Sequence, residues 1–312
     1  MKKFNARNFV KEKIVEIKKE VGSGKALCAL SGGVDSTVAA VLAHQVLGNR
    51  LLSLFIDDGL MRENEAKDVT TIFNARGIRT EVLSAQNNFF KALKDIEDPE
   101  EKRKAFRNIF YRTLGSAVKR ERADYLIQGT IAADISETKK GIKTQHNVLG
   151  QIGLSPKKYG LKIIEPLRTL YKDQVREVAR SLGLPKKLSE RMPFPGPGLA
   201  TRVIGEVTPE RVKMVRKATK IVEDEIKKLK PFQTFAVLLR DKATGIAKGK
   251  RHFGNIIVIR SVESKDAITA KVTKVPWRIL EKIEKRIIKE IPSVVKVLYD
   301  LTPKPPSTIE YI

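Results

Sequence analysis

The sequence predicts an α/β protein: a doubly wound parallel sheet followed by a small α+β domain. From Lys25 onward, short apolar runs alternate with helical patterns in the order β-α-β-α-β-α-β. A parallel sheet with right-handed crossovers satisfies that order. The run Leu51 to Ile56 is continuously apolar but for Ser53, as a strand covered on both faces should be. At Pro193-Phe194-Pro195-Gly196-Pro197-Gly198-Leu199, proline and glycine forbid helix and sheet interior alike, and the pattern changes beyond it.

Taken in order, apolar residues at helical spacing (Phe9, Val10, Ile14, Ile17, Val21) predict a helix over 8–21, stopped by Gly22. Residues 26–30 read as the first strand, with Cys28 inside it as a core residue. A helix follows over 36–47, its buried stripe supplied by Val38, Ala39, Val41, Leu42 and Val46, with His44 on it as a structural residue. The second strand, 51–56, ends in Asp57-Asp58-Gly59, which places carboxylates at the carboxyl edge of the sheet where α/β proteins hold ligands. A helix over 63–76, a strand over 80–84 and a long charged helical region over 87–122 come next. A strand over 125–128 then runs into Gly129-Thr130. The polar segment 131–154 has weak periodicity, and a connection of that length is usually functional or disordered. A short strand (162–165) and a helix (172–182) complete a first domain, assigned to residues 1–187.

The second domain, 188–312, begins with the Pro/Gly stretch, read as a stiff linker. Then come a helix over 208–229 with Pro209 in its first turn, strands over 234–239, 256–260 and about 268–272, a helix over 277–290 and a strand over 294–299.

The chemistry centres on Ser31-Gly32-Gly33-Val34-Asp35-Ser36. A strand that turns through two glycines into a helix points several backbone N–H groups into one small space, and the helix dipole adds partial positive charge there. Gly32 and Gly33 permit positive φ and leave room for a phosphate. Ser31, Ser36 and Thr37 offer hydroxyls, and Asp35 places a carboxylate where a phosphate-bound Mg²⁺ can sit. The loop lacks the lysine and the length of G-x-x-x-x-G-K-[ST].

Composition narrows the class. The 312 residues carry 61 Lys+Arg against 36 Asp+Glu, a net charge of +25. A nucleic-acid binder is one interpretation. However, the basic residues are spread along the chain and interleaved with glutamates, and the 6% of aromatics do not cluster with them. A solvated, lysine-rich surface on an enzyme with polyanionic substrates is preferred, and such composition also suits a heat-adapted protein. No apolar run reaches a membrane span, the start Met1-Lys2-Lys3-Phe4-Asn5 has no secretory pattern, and the single cysteine excludes a disulfide framework. A cytoplasmic protein with no membrane partner is expected.

The string S-G-G-V-D-S, in its strand–turn–helix context, resembles the loop of the ATP pyrophosphatase family, which splits ATP between its α- and β-phosphates. Beyond it come I-D-D-G-L-M-R, D-P-E-E-K-R-K at 98–104, Q-G-T at 128–130, I-K-T-Q-H-N-V at 142–148, P-F-P-G-P-G-L, and K-P-P-S-T-I-E at 304–310. Together these are similar to the ATP pyrophosphatase and dimerisation domains of the GMP synthetase family, over nearly the whole chain. The glutamine amidotransferase domain that precedes this unit in many relatives is not among them, so the chain resembles the synthetase subunit of the two-subunit form. Gln145 and Leu149 stand where a histidine and a glycine are usual, and Tyr311-Ile312 replaces a Trp-Glu ending.

The resemblance implies a sheet of the ATP-pyrophosphatase (adenine nucleotide alpha hydrolase-like) type. It also implies a C-terminal domain that forms a homodimer and binds XMP. The implied reaction is XMP + ATP + ammonia to GMP + AMP + pyrophosphate through an adenylyl-XMP intermediate, with ATP as substrate, Mg²⁺ as cofactor and a separate glutamine amidotransferase as partner. ATP would be held by Ser31, Gly32, Gly33, Val34, Asp35 and Ser36, and by Ile56, Asp57 and Gly129 at the neighbouring strand ends. Asp35 would carry the metal, and Lys143 would close over the phosphates as a catalytic lid residue. Motif match assigns Arg103, Lys304, Thr308, Ile309 and Glu310 to XMP.

Two other classes are open at this stage. A tRNA-thiolating or lysidine-forming enzyme uses the same loop and would suit the basic charge, but it would call for further cysteines or an RNA-binding module. A non-enzymatic nucleotide sensor would not need the loop, the 142–148 segment and the C-terminal motif together.

Overall fold

In the computed structural model the described residues are 4–139, 161–189, 191–247, 249–265 and 267–312. They form two compact units. One comprises residues 1–57, 64–85 and 107–191, the other 58–63, 86–106 and 192–312.

The first unit is built on a five-stranded sheet in the order β3-β2-β1-β4-β5. Its strands are β1 (Ala26–Leu30), β2 (Leu51–Asp57), β3 (Thr80–Ser84), β4 (Tyr125–Ile127) and β5 (Lys162–Ile164). All four pairings are parallel, with Ala26 level with both Leu51 and Tyr125. The chain leaves β1 for β2 and β3 on one side, then crosses to β4 and β5 on the other. The carboxyl end of β1 is therefore the point where strand order reverses, the place at which open α/β sheets bind ligands. Every residue of β1 and β2 is buried except Ala29 and Asp57, which are partly so. That burial on both faces explains why these strands read as nearly continuous apolar runs, with Ser53 the one polar residue buried within them.

Helix α1 (Ala6–Val21) is capped by Asn5, whose side chain accepts from the Asn8 backbone N–H at 3.1 Å, and ends at Gly22 with φ +55°. Helix α2 (Val34–Leu47) lies against the sheet, with Ser36 through Ala43 wholly buried. Ala39, Ala40 and Ala43 keep its side chains short on the buried faces. Helix α3 (Glu65–Asn74) links β2 to β3.

The single charged helical region expected over 87–122 is two helices, α4 (Gln86–Leu93) and α5 (Pro99–Glu121). Asp95 between them has φ +61°. Asp98 starts the second: its Oδ1 accepts from the backbone N–H groups of Glu100 and Glu101, both at 2.9 Å. Asp followed by Pro is a helix-start signal that the length of the apolar pattern obscured. Helix α4 and residues 99–106 of α5 belong to the second unit, and helices α6 (Ala132–Lys139), α7 (Lys172–Ser181) and α8 (Lys186–Ser189) complete the first.

In the second unit, α9 (Pro209–Ile226) begins at Thr208, whose side chain accepts from the Arg211 backbone N–H, with Pro209 at its first position. It lies along a hairpin of β6 (Gln233–Ala247) and β7 (Lys250–Glu263), which pair antiparallel out to Ala247 opposite Lys250. Short strands at 234–239 and 256–260 were expected. Their outer halves are largely solvent-facing, with Ile246 and Phe253 exposed among polar and small residues, so no regular apolar alternation marks them. The other edge of β7 pairs with β9 (Val294–Tyr299) in parallel and with β8 (Lys271–Val272) antiparallel. Helix α10 is Trp277–Glu290. Phe235, Val237 and Val258 form a core cluster against Ile204 and Leu239.

The Pro/Gly stretch is more than a linker. Residues Gly198–Arg202 form a 3-10 turn that is buried throughout. A Cβ on Gly198, at φ +60°, would stand 2.5 Å from the Leu60 carbonyl oxygen, so only glycine fits that close approach. The segment 58–63 is fixed in the same unit. Arg216 donates to the carbonyls of Gly59 and Met61, and Arg62 to Glu223 Oε1 at 3.1 Å and to the Met192 carbonyl at 3.2 Å. Among the described residues no helix is long and apolar enough to cross a membrane.

Candidate active site

The loop after β1 sits at the strand-order reversal and is built almost entirely from its own short side chains. Gly32 adopts φ +73°, and a Cβ there would lie 2.0 Å from Glu65 Oε1. The conformation and the neighbour both demand glycine. Ser31 and Ser36 tie the loop into a ring: the Ser31 backbone N–H donates to Ser36 Oγ at 3.1 Å, and the two hydroxyls lie 3.0 Å apart. Ser36 and Thr37 both donate to the Gly33 carbonyl, at 3.3 and 2.9 Å.

Gly33 is the N-cap of α2 and offers no side chain to the first turn. Most helices satisfy those first N–H groups with a capping oxygen. At α2 the position goes to glycine, which leaves the N–H groups of the first turn for an anion.

Asp35 stands in that first turn with its two oxygens in different circumstances. Oδ2 accepts from Lys172 Nζ at 2.5 Å, and Oδ1 is buried with no hydrogen-bond partner among the described residues. A buried carboxylate oxygen without a donor is costly unless something else meets it. A phosphate-bound Mg²⁺ fits: it takes few protein carboxylates and draws its remaining ligands from phosphate and water. Among the described residues no cluster of three or more His, Cys, Asp or Glu could hold a metal by itself.

Gly129 follows β4 and closes the loop from the side. A Cβ there would lie 2.6 Å from the Ser36 nitrogen and 2.7 Å from the Asp35 carbonyl carbon. Backbone meets backbone at this point, and neither can move aside. Ile56 is buried at the end of β2, and the Asp57 carbonyl accepts from the Ala85 N–H at 2.9 Å, so both stand at the same sheet edge as the loop. Lys143 lies outside the described residues.

Three residues of this site were not foreseen. Lys172 opens α7 and reaches Asp35. Glu65, only 4% exposed, pairs through both carboxylate oxygens with Arg191, which also donates to the Gly32 carbonyl at 3.3 Å. Long-range pairs of this kind leave no local pattern; Asp35 and Lys172 are 137 positions apart.

Cys28 is fully buried in β1, and burial pushes its thiol up to about 12. It stays a neutral thiol at any working pH and serves the core.

The residues assigned to XMP by motif all lie in the second unit. Arg103, on α5, pairs with Glu100 one turn earlier. Lys304 exchanges backbone hydrogen bonds with Ala270, at 2.8 and 3.0 Å, and its Nζ donates to the Ala267 carbonyl at 2.9 Å. The Thr308 hydroxyl donates to the Glu310 carbonyl, and Ile309 is half-buried beside them. The Glu310 carboxylate is held by Arg202 and Gln233. Lys102, in the same 98–104 motif as Arg103, is buried and donates to the carbonyls of Val203 and Gly205 at 2.8 and 2.6 Å. Burial, with Arg211 nearby, lowers its ammonium to about 8.

Comparison with known proteins places two families along the chain. Residues 5–196 match the family described as NAD synthase, and residues 201–311 match the GMP synthase C terminal domain. The chain is 49% identical over 316 residues to one of the subunits of the glutamine-hydrolyzing GMP synthase of Methanopyrus kandleri, covering 99% of each chain. It is 53% identical to the same subunit from Archaeoglobus fulgidus, over 98% of this chain and 99% of that one. The corresponding protein of Thermococcus kodakarensis is 52% identical, over 97% of this chain and 99% of its own. The phosphate-type loop at the sheet's switch point, the separate C-terminal unit and end-to-end identity of about half lead to one conclusion: this chain belongs to the family of GMP synthase subunits that these three proteins represent.

Proposed function

We propose that this chain converts XMP to GMP, spending ATP as AMP and pyrophosphate and using ammonia delivered by a separate glutamine amidotransferase. The observation that carries the proposal is the loop 31–36. It combines a glycine N-cap that leaves the α2 N–H groups open with an Asp35 carboxylate that has one oxygen held by Lys172 and the other without a hydrogen-bond partner among the described residues.

In the first step O2 of the xanthine ring attacks the α-phosphorus of ATP, and pyrophosphate leaves. The N–H groups at the start of α2 and the hydroxyls of Ser31 and Ser36 bind the β- and γ-phosphates, so negative charge that builds on the leaving oxygen meets donors already in place. The loop would also hold a Mg²⁺, which when bound would supply positive charge against the phosphates. Asp35 Oδ1 would hold it, while Lys172 fixes the rotamer of the carboxylate. Ile56, Asp57 and Gly129 suit the adenosine half by their place at the sheet edge. Lys143 is assigned to a lid that would exclude water from the adenylyl-XMP intermediate. In the second step ammonia attacks C2 and AMP departs.

The second domain is assigned XMP binding, through Arg103, Lys304, Thr308, Ile309 and Glu310, and homodimer formation, with the boundary near 187. A cytoplasmic setting is part of the same proposal. The tRNA-modifying alternative has only the net charge in its favour. Incubation of the purified chain with ATP, Mg²⁺, XMP and ammonium chloride tests the proposal: GMP, AMP and pyrophosphate should appear in equal amounts. Formation of ADP, or AMP release that does not require XMP, would overturn it.

A further inference from the structure

The P-F-P-G-P-G-L stretch and the C-terminal K-P-P-S-T-I-E motif lie more than a hundred residues apart, and the reaction as set out gives the first of them no task. The geometry points to one: it delivers Arg202, which with Arg260 forms a pair of buried arginine forks that hold the C-terminal tail in its binding shape. We infer that Arg202 and Arg260 are positioning residues for XMP, an inference that rests on the assignment of the tail to that substrate.

The tail from Asp300 to Glu310 has no helix or strand of its own, and its single ladder contact is the bridge between Lys304 and Ala270. Its path is set by side chains. Arg202 and Arg260 are both 0% exposed. Arg202 closes the 3-10 turn that follows the prolines, with its guanidinium 4.0 Å from the Phe235 ring centroid and 4.9 Å from that of Phe194. From that slot Nε and Nη2 donate to Glu310 Oε2 and Oε1 at 3.2 and 3.0 Å. A planar fork stacked between rings has little freedom left to lose, which is why arginine and not lysine suits a fixed, bidentate carboxylate contact.

Arg260, near the end of β7, grips the tail at three other points. Nη1 donates to the Thr302 carbonyl at 2.5 Å and lies 2.9 Å from Asp300 Oδ2, and Nη2 donates to the Thr308 carbonyl at 2.8 Å. The contacts at Thr302 and Thr308 fall on either side of Lys304-Pro305-Pro306. Arg260 therefore brackets the loop that presents Lys304, and Arg202 fixes the side chain of Glu310. Removing a buried charged partner leaves the other stranded, so each fork is hard to lose quietly.

Two variants and two readouts test the inference on the full-length chain. Arg202→Lys keeps the charge and loses the bidentate fork; Arg260→Lys does the same at the second position. Each should raise KM for XMP at least tenfold with KM for ATP changed less than twofold. Each should also speed amide hydrogen exchange in residues 301–312 more than in residues 26–57, in the absence of any substrate. Arg202→Met, which fills the slot without a donor, should be worse than Arg202→Lys for XMP. Unchanged exchange in the tail, or equal rises in KM for both substrates, overturns the inference. If a variant fails to fold, Glu310→Gln and Asp300→Asn weaken the Arg202 and Arg260 contacts from the tail side, and each should speed amide exchange in residues 301–312 in the same way; unchanged exchange there overturns the inference. Were faster tail exchange to occur with normal XMP affinity, the forks would still hold the tail but the assignment of the tail to XMP would fall.

Discussion

Lys172 Nζ lies 2.5 Å from Asp35 Oδ2, joining the start of α7 to the first turn of α2. A lysine at the first position of a helix is poorly placed against the helix dipole, so its location is explained by the carboxylate it meets. Asp35→Ala should lower pyrophosphate release from ATP and XMP by on the order of 100- to 1,000-fold. The circular dichroism spectrum should stay at wild type, because the carboxylate is only partly buried. Release at the wild-type rate would remove Asp35 from the reaction.

Gly129→Ala places a methyl group against the backbone of Asp35 and Ser36, with contacts of 2.6 and 2.7 Å. The expected cost is about 1–3 kcal/mol of stability and about 100-fold in turnover, since a shift of the loop by a fraction of an ångström misplaces every phosphate donor at once. Thermal melting and steady-state rates at saturating ATP measure the two separately. A variant with normal turnover would show that the loop and the β4 end are not as tightly registered as the contact distances require.

Glutamine alone should not support synthesis by this chain, whereas ammonium should. The single cysteine is buried in β1 with its thiol pushed up to about 12, so no thiolate nucleophile for glutamine is available there. Cys28→Ser is expected to keep ammonia-dependent activity within a few-fold of wild type. Glutamine-dependent GMP formation by the pure chain would contradict the assignment.

Lys102 makes stability depend on pH in a direction opposite to most paired lysines. Its native value is about 8 against 10.5 for the free side chain. Between those values the unfolded chain holds the proton and the folded chain does not, so stability rises with pH there. The slope from this one group is at most about 1.4 kcal/mol per pH unit. Chemical denaturation from pH 7.5 to 10.5 should show the rise in wild type relative to Lys102→Met, which lacks the group. A difference between the two that is flat with pH would mean that Lys102 keeps its proton throughout the range.

The central strands of the first unit, β1, β2 and β4, were legible in the sequence because a parallel strand covered on both faces is almost wholly apolar. The edge strands β3 and β5 are partly exposed and mixed in polarity, and were legible only from their place between helical patterns. The loop at 31–36 was legible too, where two glycines, two serines and an aspartate fall within six residues. The hairpin was not: beyond Leu239 strand β6 faces solvent with Arg240, Asp241 and Lys242, and its hydrogen bonds, unlike its side chains, leave no periodic mark. The break at Asp95 was hidden for a related reason, since charged residues on both sides of it suit a solvated helix equally well. Lys172, Glu65, Arg191, Arg202 and Arg260 were illegible because their roles depend on partners brought close only by the fold. In a chain with 61 basic residues, nothing local sets apart the few that are buried.

The central step of the proposed reaction is attack by oxygen O2 of XMP on the α-phosphorus of ATP, and an isotope label follows that atom directly. XMP carrying oxygen-18 at position 2 should be converted, with ATP, Mg²⁺ and ammonium, to GMP and to AMP that carries the label in its phosphate. Label found in pyrophosphate, in inorganic phosphate or lost to water would mean that ATP is cleaved elsewhere and that the loop does not transfer an adenylyl group to XMP.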